Sequence, residues 1–251
     1  YPYNILYIIL YSYLFAKQKI TQYNMIEEKI ISKFNYYRKK AFTMKGLIFD
    51  LDGTLLDSMP VWNNLLDTML HKKGVTPPAD LLDRTKTLGL ESCTELVLNE
   101  FHLTDDPAVV YQMFQDEMEY QYCNNIPLKA GVREFLDALH GKIPMAVATA
   151  TSRNLVEKAL EHHNMAHYFQ SVTTVAEAGI GKHDPKVFLM AAEKLNLPVE
   201  DCVVFEDSLT AIRSANQAGF ATVAIYEATN LHEQNALKTE ASRYIKDFTE
   251  L

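Results

Sequence analysis

A chain of 251 residues, 48% hydrophobic and 22% charged, has the size and balance of one globular domain, or of a domain carrying an insert. Its net charge of −8 is uneven: residues 1–43 hold seven Lys or Arg against Glu27 and Glu28, a local +5 that leaves −13 on the rest. So acidic a body makes a poor general binder of nucleic acid, and three scattered cysteines (Cys93, Cys123, Cys202) without a C-x-x-C pair read as reduced cytoplasmic thiols rather than as a disulfide frame or zinc site.

Residues 1–43 differ from the rest of the chain. They hold eight of the fourteen tyrosines, no glycine, and the apolar run NILYIILYSYLF. That run is short of the ~20 residues a membrane-spanning helix needs, and it lacks the flanks of a signal peptide. The segment is expected to be an N-terminal extension outside the functional fold and dispensable to it, with Met44 standing where a natural initiator would. A weak amphipathic membrane anchor is the alternative. No membrane partner is expected.

The first structured element is a strand over 45–50, where Leu47, Ile48 and Phe49 form an apolar run buried on both faces. Asp50 falls at its carboxyl end, and Asp52 comes next on a turn that Gly53 makes flexible. Two carboxylates so close are costly unless a cation or a shared proton relieves them. From about 60 to 126 the spacing turns helical, through Val61, Leu65, Leu66 and Met69, then Leu96 and Phe101, then Val109, Val110, Met113 and Phe114. Asp80 and Asp105 or Asp106 are candidate helix starts, and no buried strand is expected there.

An alternation of helices and strands succeeds this region. Helices Val132 to Leu139, Leu155 to His163, Pro185 to Leu195 and Leu209 to Ala218 lead to strands IPMAVAT, SVTTVA, DCVVFE and FATVAI. This predicts a parallel sheet covered by helices on both faces, interrupted by a helical insert after its first strand. Ligands bind such sheets at the carboxyl ends of the strands. Those ends supply Asp50, Asp52, Thr149, Glu206 and Asp207, with Lys182 in the loop GIGKHDP. Carboxylates, a hydroxyl and an ammonium outline a metal and phosphate site.

In this order and at these strand ends, FDLDGTLLDS, VATATS, GKHDPKVF and VVFEDSLTAIRSANQAG resemble the four motifs of the haloacid dehalogenase superfamily, in its β-phosphoglucomutase-like branch with a helical (C1-type) cap. The resemblance covers Met44 to Leu251. It implies an α/β fold with a Rossmann-like core over 44–59 and 127–251 and a helical cap over 60–126. It implies Asp50 as nucleophile, Asp52 as general acid and base, and Thr149, Ala150 and Lys182 around the phosphoryl group. Mg2+ would be held by Asp50, the Asp52 carbonyl, Asp207 and Glu206. Lys182 is favoured over Lys186 because the family's lysine directly follows a glycine. The third motif departs from the usual pattern, His183 standing where a proline is common. His183, like the pair His162 and His163, is expected to be a solvated surface residue. Ala211 replaces a glycine often seen after the acidic motif, a packing change.

The cap loop KTLGLESCTEL is expected to reach the site with Gly89, Glu91 and Ser92, while Met59 and Trp62 face the leaving group, cap core being the other reading of Trp62. The expected activity is Mg2+-dependent hydrolysis of a small phosphorylated metabolite, a sugar phosphate or nucleotide-like compound. A mutase resembling β-phosphoglucomutase is the runner-up, disfavoured because Glu91 stands where such mutases carry basic groups. A catalytically silent binding module and a phosphonate hydrolase complete the alternatives. Oligomeric state is not encoded legibly; a monomer is expected.

Overall fold

Leu47 and Phe49 are fully buried in one layer of core and Ile48 in the other, so the first strand has both faces covered. The computed structural model, which describes residues 44–85 and 90–251, accordingly places it inside a sheet. The expected extension over residues 1–43 lies outside the described residues. Six strands, β1 (Gly46–Phe49), β2 (Met145–Thr149), β3 (Ser171–Thr174), β4 (Cys202–Glu206), β5 (Ala221–Ile225) and β6 (Arg243–Ile245), run parallel in the order β3-β2-β1-β4-β5-β6. Ile48 lies opposite Ala146 and Val204, and Phe49 opposite Val147 and Phe205.

The helices are α1 (Met59–Lys72), α2 (Leu81–Thr85), α3 (Leu90–Glu100), α4 (Pro107–Asn124), α5 (Val132–Leu139), α6 (Arg153–His162), α7 (Val175–Ala178), α8 (Lys186–Lys194), α9 (Leu209–Ala218) and α10 (Gln234–Glu240). One face of the sheet packs on α5 through an aromatic cluster. Phe49 stacks on Phe205 with ring centres 4.6 Å apart, and Phe135 and Phe248 close over them at 5.3 to 6.4 Å. The other face is filled by small residues, Ala146 and Ala148, which let α8 and α9 approach with Val187, Phe188, Ala211 and Ala215. No helix among the described residues is long and apolar enough to cross a membrane.

Between β1 and α5 the described chain is helical, as its spacing predicts. Asp106 caps α4, its side chain accepting the Ala108 N–H at 2.8 Å. The apolar stripe of α4 is Val110, Phe114, Met118 and Tyr122, while Val109 is exposed. The incoming and outgoing connections lie side by side: the Asp57 N–H donates to the Pro127 carbonyl and the Lys129 N–H to the Leu55 carbonyl, both at 2.9 Å. The Lys129 ammonium adds ion pairs to Glu227 (2.6 Å) and Asp57 (3.5 Å).

Two local expectations need correction, and two elements were not foreseen. Val175 and Ala176 do not extend β3; the Thr174 hydroxyl accepts the Glu177 N–H at 3.2 Å and starts α7 there. β6 and α10 carry too little apolar pattern to be seen in sequence, β6 being three residues long at the sheet edge. His163 is not a solvated residue: it is half-buried, its Nε2 lies 3.0 Å from the Ile126 carbonyl, and burial lowers its pKa.

Phe135 is 2% exposed and touches three rings of the cluster. Phe135→Ala is expected to cost about 3–5 kcal/mol of unfolding free energy, measured by urea titration, because the rings around it cannot collapse into the space. A loss below about 1 kcal/mol would show that the cluster does not anchor α5 to the sheet.

Candidate active site

A parallel sheet opens a crevice where its strand order reverses. Here the chain fills β1, β2 and β3 outward to one edge, then returns to β4 on the other side of β1, so the crevice lies at the carboxyl ends of β1 and β4. Asp50 follows β1, its N–H donating to the Phe205 carbonyl at 2.9 Å, and Glu206 ends β4 with Asp207 next to it. Thr149 ends β2.

Lys182 reaches the same point from the loop before α8. Its ammonium donates to Asp50 Oδ1 and, at 2.7 Å, to Glu206 Oε1. The loop is held from below by Ser214 of α9, whose hydroxyl donates to the Lys182 carbonyl at 2.6 Å. Glu206 turns its second oxygen back on the chain, accepting the N–H groups of Asp207 (2.6 Å) and Ser208 (2.8 Å). Asp207 Oδ2 accepts from the Asn230 amide at 3.2 Å. One carboxylate oxygen from each of Asp50, Glu206 and Asp207 lies within 4.8 Å of the others. Gly53 makes this approach possible: at φ +80° a side chain is strained, and a Cβ there would come within 2.5 Å of Asp207 Oδ2.

Asp52 has different company. Its Oδ1 accepts from the Tyr122 hydroxyl of α4 and its Oδ2 from the Thr151 hydroxyl, both at 2.6 Å. The Trp62 indole donates to the Tyr122 oxygen at 3.2 Å. Thr149 Oγ1 accepts the Thr151 N–H at 3.1 Å, leaving its own O–H to donate elsewhere.

Three buried carboxylates face one ammonium. Burial pushes the Asp50 carboxyl up to about 8; Lys182 is the main influence pulling it down, while Glu206 and Asp52 add to the rise. Burial raises Asp207 well above the usual carboxylate range, and the charges of Glu206 and Asp50 push the same way. Burial acts to depress Lys182, but Asp50 and Glu206 outweigh it and hold the ammonium above its ordinary range. Burial also lifts the Tyr122 phenol, with Asp52 beside it, so that it remains an O–H donor. Excess negative charge, hard oxygen donors and short separations suit a small divalent cation. Asp50, Glu206 and Asp207 are the residues that fit one. Both oxygens of Glu206 already have partners, which fits it least well for direct contact.

Of the residues singled out in the sequence, Asp50, Lys182, Glu206 and Asp207 come together directly, and Asp52 and Thr149 are linked to each other through Thr151. Ala150 sits exposed at the end of β2, and Lys186 and His183 are exposed. Ala211 is buried on the face of α9 that packs, with Ala215, against the sheet. Trp62 is half-buried, with its indole nitrogen on Tyr122. Gly89 and the side chains of Glu91 and Ser92 lie outside the described residues. Sequence reasoning missed Thr151, Tyr122, Ser214 and Asn230. Thr151 was within reach, two residues past Thr149 in VATATS; Tyr122, seventy positions from Asp52, had no local signal.

A carboxylate trio this deeply buried weakens a fold, and at the switch point of a parallel sheet it marks the ligand or catalytic site of an α/β enzyme. This chain belongs to the haloacid dehalogenase-like hydrolase family, whose pattern matches residues 44–219. It is 26% identical over 181 residues to a phosphorylated carbohydrates phosphatase of Thermotoga maritima, covering 72% of this chain and 84% of that one. It is also 26% identical over 181 residues to the fructose-1-phosphate phosphatase YqaB of Escherichia coli, covering 72% and 95%. Among solved structures it shares its fold with a β-phosphoglucomutase from Clostridium difficile, with a TM-score of 0.65, 19% identity and coverage of 83% and 93%.

The raised Asp50 carboxyl has a consequence for stability. A folded-state pKa of about 8, above the ordinary 3.8, means that its contribution is complete below pH 3.8 and is lost as pH rises through about 8. In a chelator, the melting temperature of the parent should therefore fall relative to that of Asp50→Asn, which has no proton to lose, as pH is raised across that window. Parallel melting profiles of the two proteins would contradict this electrostatic account.

Proposed function

We propose that this chain hydrolyses small phosphomonoesters through an aspartyl phosphate on Asp50, with Mg2+ as cofactor. The observation that carries the reading is Lys182 bridging Asp50 and Glu206 at the switch point with Asp207 alongside, an arrangement that neutralises part of the charge on an anionic nucleophile and sets three carboxylate oxygens close enough together to hold a cation. The phosphatase names of the relatives support the ester class, and sugar phosphates are the substrates to test first.

In this reading an Asp50 oxygen attacks phosphorus, the bond to the ester oxygen breaks, and that oxygen takes a proton from the Asp52 carboxyl. Water then attacks the phosphorus of the aspartyl phosphate, gives a proton to the Asp52 carboxylate, and releases inorganic phosphate and Asp50. The Thr149 hydroxyl and the Lys182 ammonium hold the phosphoryl oxygens. Asp50, Asp207 and the Asp52 carbonyl would hold Mg2+, with Glu206 acting through water; when bound, the ion offsets charge between the nucleophile and the phosphoryl group. The helical segment over 60–126 acts as a lid that excludes bulk water, and the remainder from 44 onward as the catalytic core.

A panel of sugar phosphates, nucleotides and p-nitrophenyl phosphate, read by release of inorganic phosphate, tests the reading. Activity should require Mg2+ and vanish in chelator, and free phosphate rather than an isomerised sugar phosphate should be the product. Asp50→Asn should be inactive yet folded, the amide being nearly isosteric but unable to attack. Asp52→Asn should lose roughly 10²–10⁴-fold in kcat/KM on alkyl phosphates and far less on the aryl ester, whose leaving group needs little protonation. Full activity in Asp50→Asn would end the proposal.

A further inference from the structure

We propose that Tyr122 is a positioning residue for this reaction: its phenol O–H, aimed by the Trp62 indole, holds Asp52 in the orientation that reaches the leaving oxygen. The proposal rests on the assignment of Asp52 as the proton donor. Tyr122 is fully buried near the carboxyl end of α4, whereas Asp52 is half-buried and so retains an open side. Chemistry fixes the direction of the chain of hydrogen bonds. An indole N–H can only donate, so the Tyr122 oxygen accepts from Trp62 and its one proton goes to Asp52 Oδ1. Donors in such a chain polarise one another and narrow the freedom of the last acceptor.

The second Asp52 oxygen meets a different kind of partner. The Thr151 hydroxyl can rotate, donating to Oδ2 when the carboxylate is ionised and swinging aside or accepting when Oδ2 carries the proton. Tyr122 has less freedom: Trp62 donates to its oxygen, and Thr151 lies within reach of it as well, which leaves its one proton directed to Oδ1. Oδ1 is thus the fixed end of the carboxylate and Oδ2 the end that exchanges a proton with the ester oxygen. Through the Thr151 N–H on Thr149 Oγ1, the same contacts tie that end to a threonine placed at the phosphoryl group.

The test compares kcat/KM, which reports the step that expels the leaving group, for p-nitrophenyl phosphate and for the fastest alkyl phosphate of the panel. Tyr122→Phe keeps the ring and removes the O–H. It should lower the alkyl value by roughly 10- to 10²-fold, the cost of a misaligned catalytic group, and the aryl value far less. Combined with Asp52→Asn it should add almost no further loss on the alkyl ester. An equal loss on both esters, or a loss that adds fully to that of Asp52→Asn, would overturn the proposal while leaving the hydrolase reading intact. Were Asp52→Asn itself indifferent to the leaving group, the assignment beneath it would fall, and this inference with it. Trp62→Phe removes the donor without touching Asp52, and should show the same leaving-group pattern at smaller size; it carries the test if Tyr122→Phe melts at a markedly lower temperature. A Trp62→Phe loss that is the same for both esters would count against the relay.

Discussion

The site turns on one imbalance, a single lysine ammonium shared between two buried carboxylates with a third beside them. Such a cluster is destabilising by itself, and the surrounding geometry serves to contain it. Lys182 is brought in on a loop braced by Ser214, Glu206 has its second oxygen satisfied by backbone N–H groups, and Gly53 gives up a side chain so that Asp207 can come close. Even so, burial pushes the Asp50 carboxyl above its ordinary range, against the pull of Lys182. Positive charge arriving from outside the chain would offset the excess that Lys182 alone does not balance.

Much of this was legible in the sequence, for reasons that differ element by element. β1 read clearly because an apolar run bounded by turns is how a doubly covered strand looks, and Asp50 read as functional because it stands directly at its end. The paired acids after β4 and the lysine before α8 obeyed the same logic of strand ends. The residues that stayed hidden depend on contacts between positions remote in sequence. Tyr122 sits on an amphipathic stripe with Val110, Phe114 and Met118, where nothing separates a core tyrosine from one whose hydroxyl meets an aspartate. Asn230 lies in an irregular turn after β5, and only the fold brings its amide to Asp207. His163 was misjudged because two adjacent histidines at a helix end look solvated until the Ile126 carbonyl is placed against one of them.

The helical segment makes polar contacts with the core near the carboxyl end of α4. Glu119 meets Lys158 of α6 at 3.1 Å on the outside, while Tyr122 meets Asp52 inside. The outer pair is solvent-exposed and contributes little energy. In the inner contact the phenol is fully buried, so displacement of α4 would part it from its acceptor.

The side-by-side connections at Leu55 to Asp57 and Pro127 to Lys129 bear on how such a molecule diversifies. Because the chain leaves and re-enters the sheet through a short paired ribbon, with Lys129 clamped to Glu227, the distance the intervening peptide must span is set by the ribbon and not by its own length. The entropy of closing a loop grows only logarithmically with the number of residues enclosed, each doubling adding about 0.6 kcal/mol. Lengthening, shortening or exchanging the peptide that hangs from that ribbon is therefore a small perturbation to the sheet beneath. The sheet and the helical segment can vary at separate rates, with the ribbon as the graft point between them.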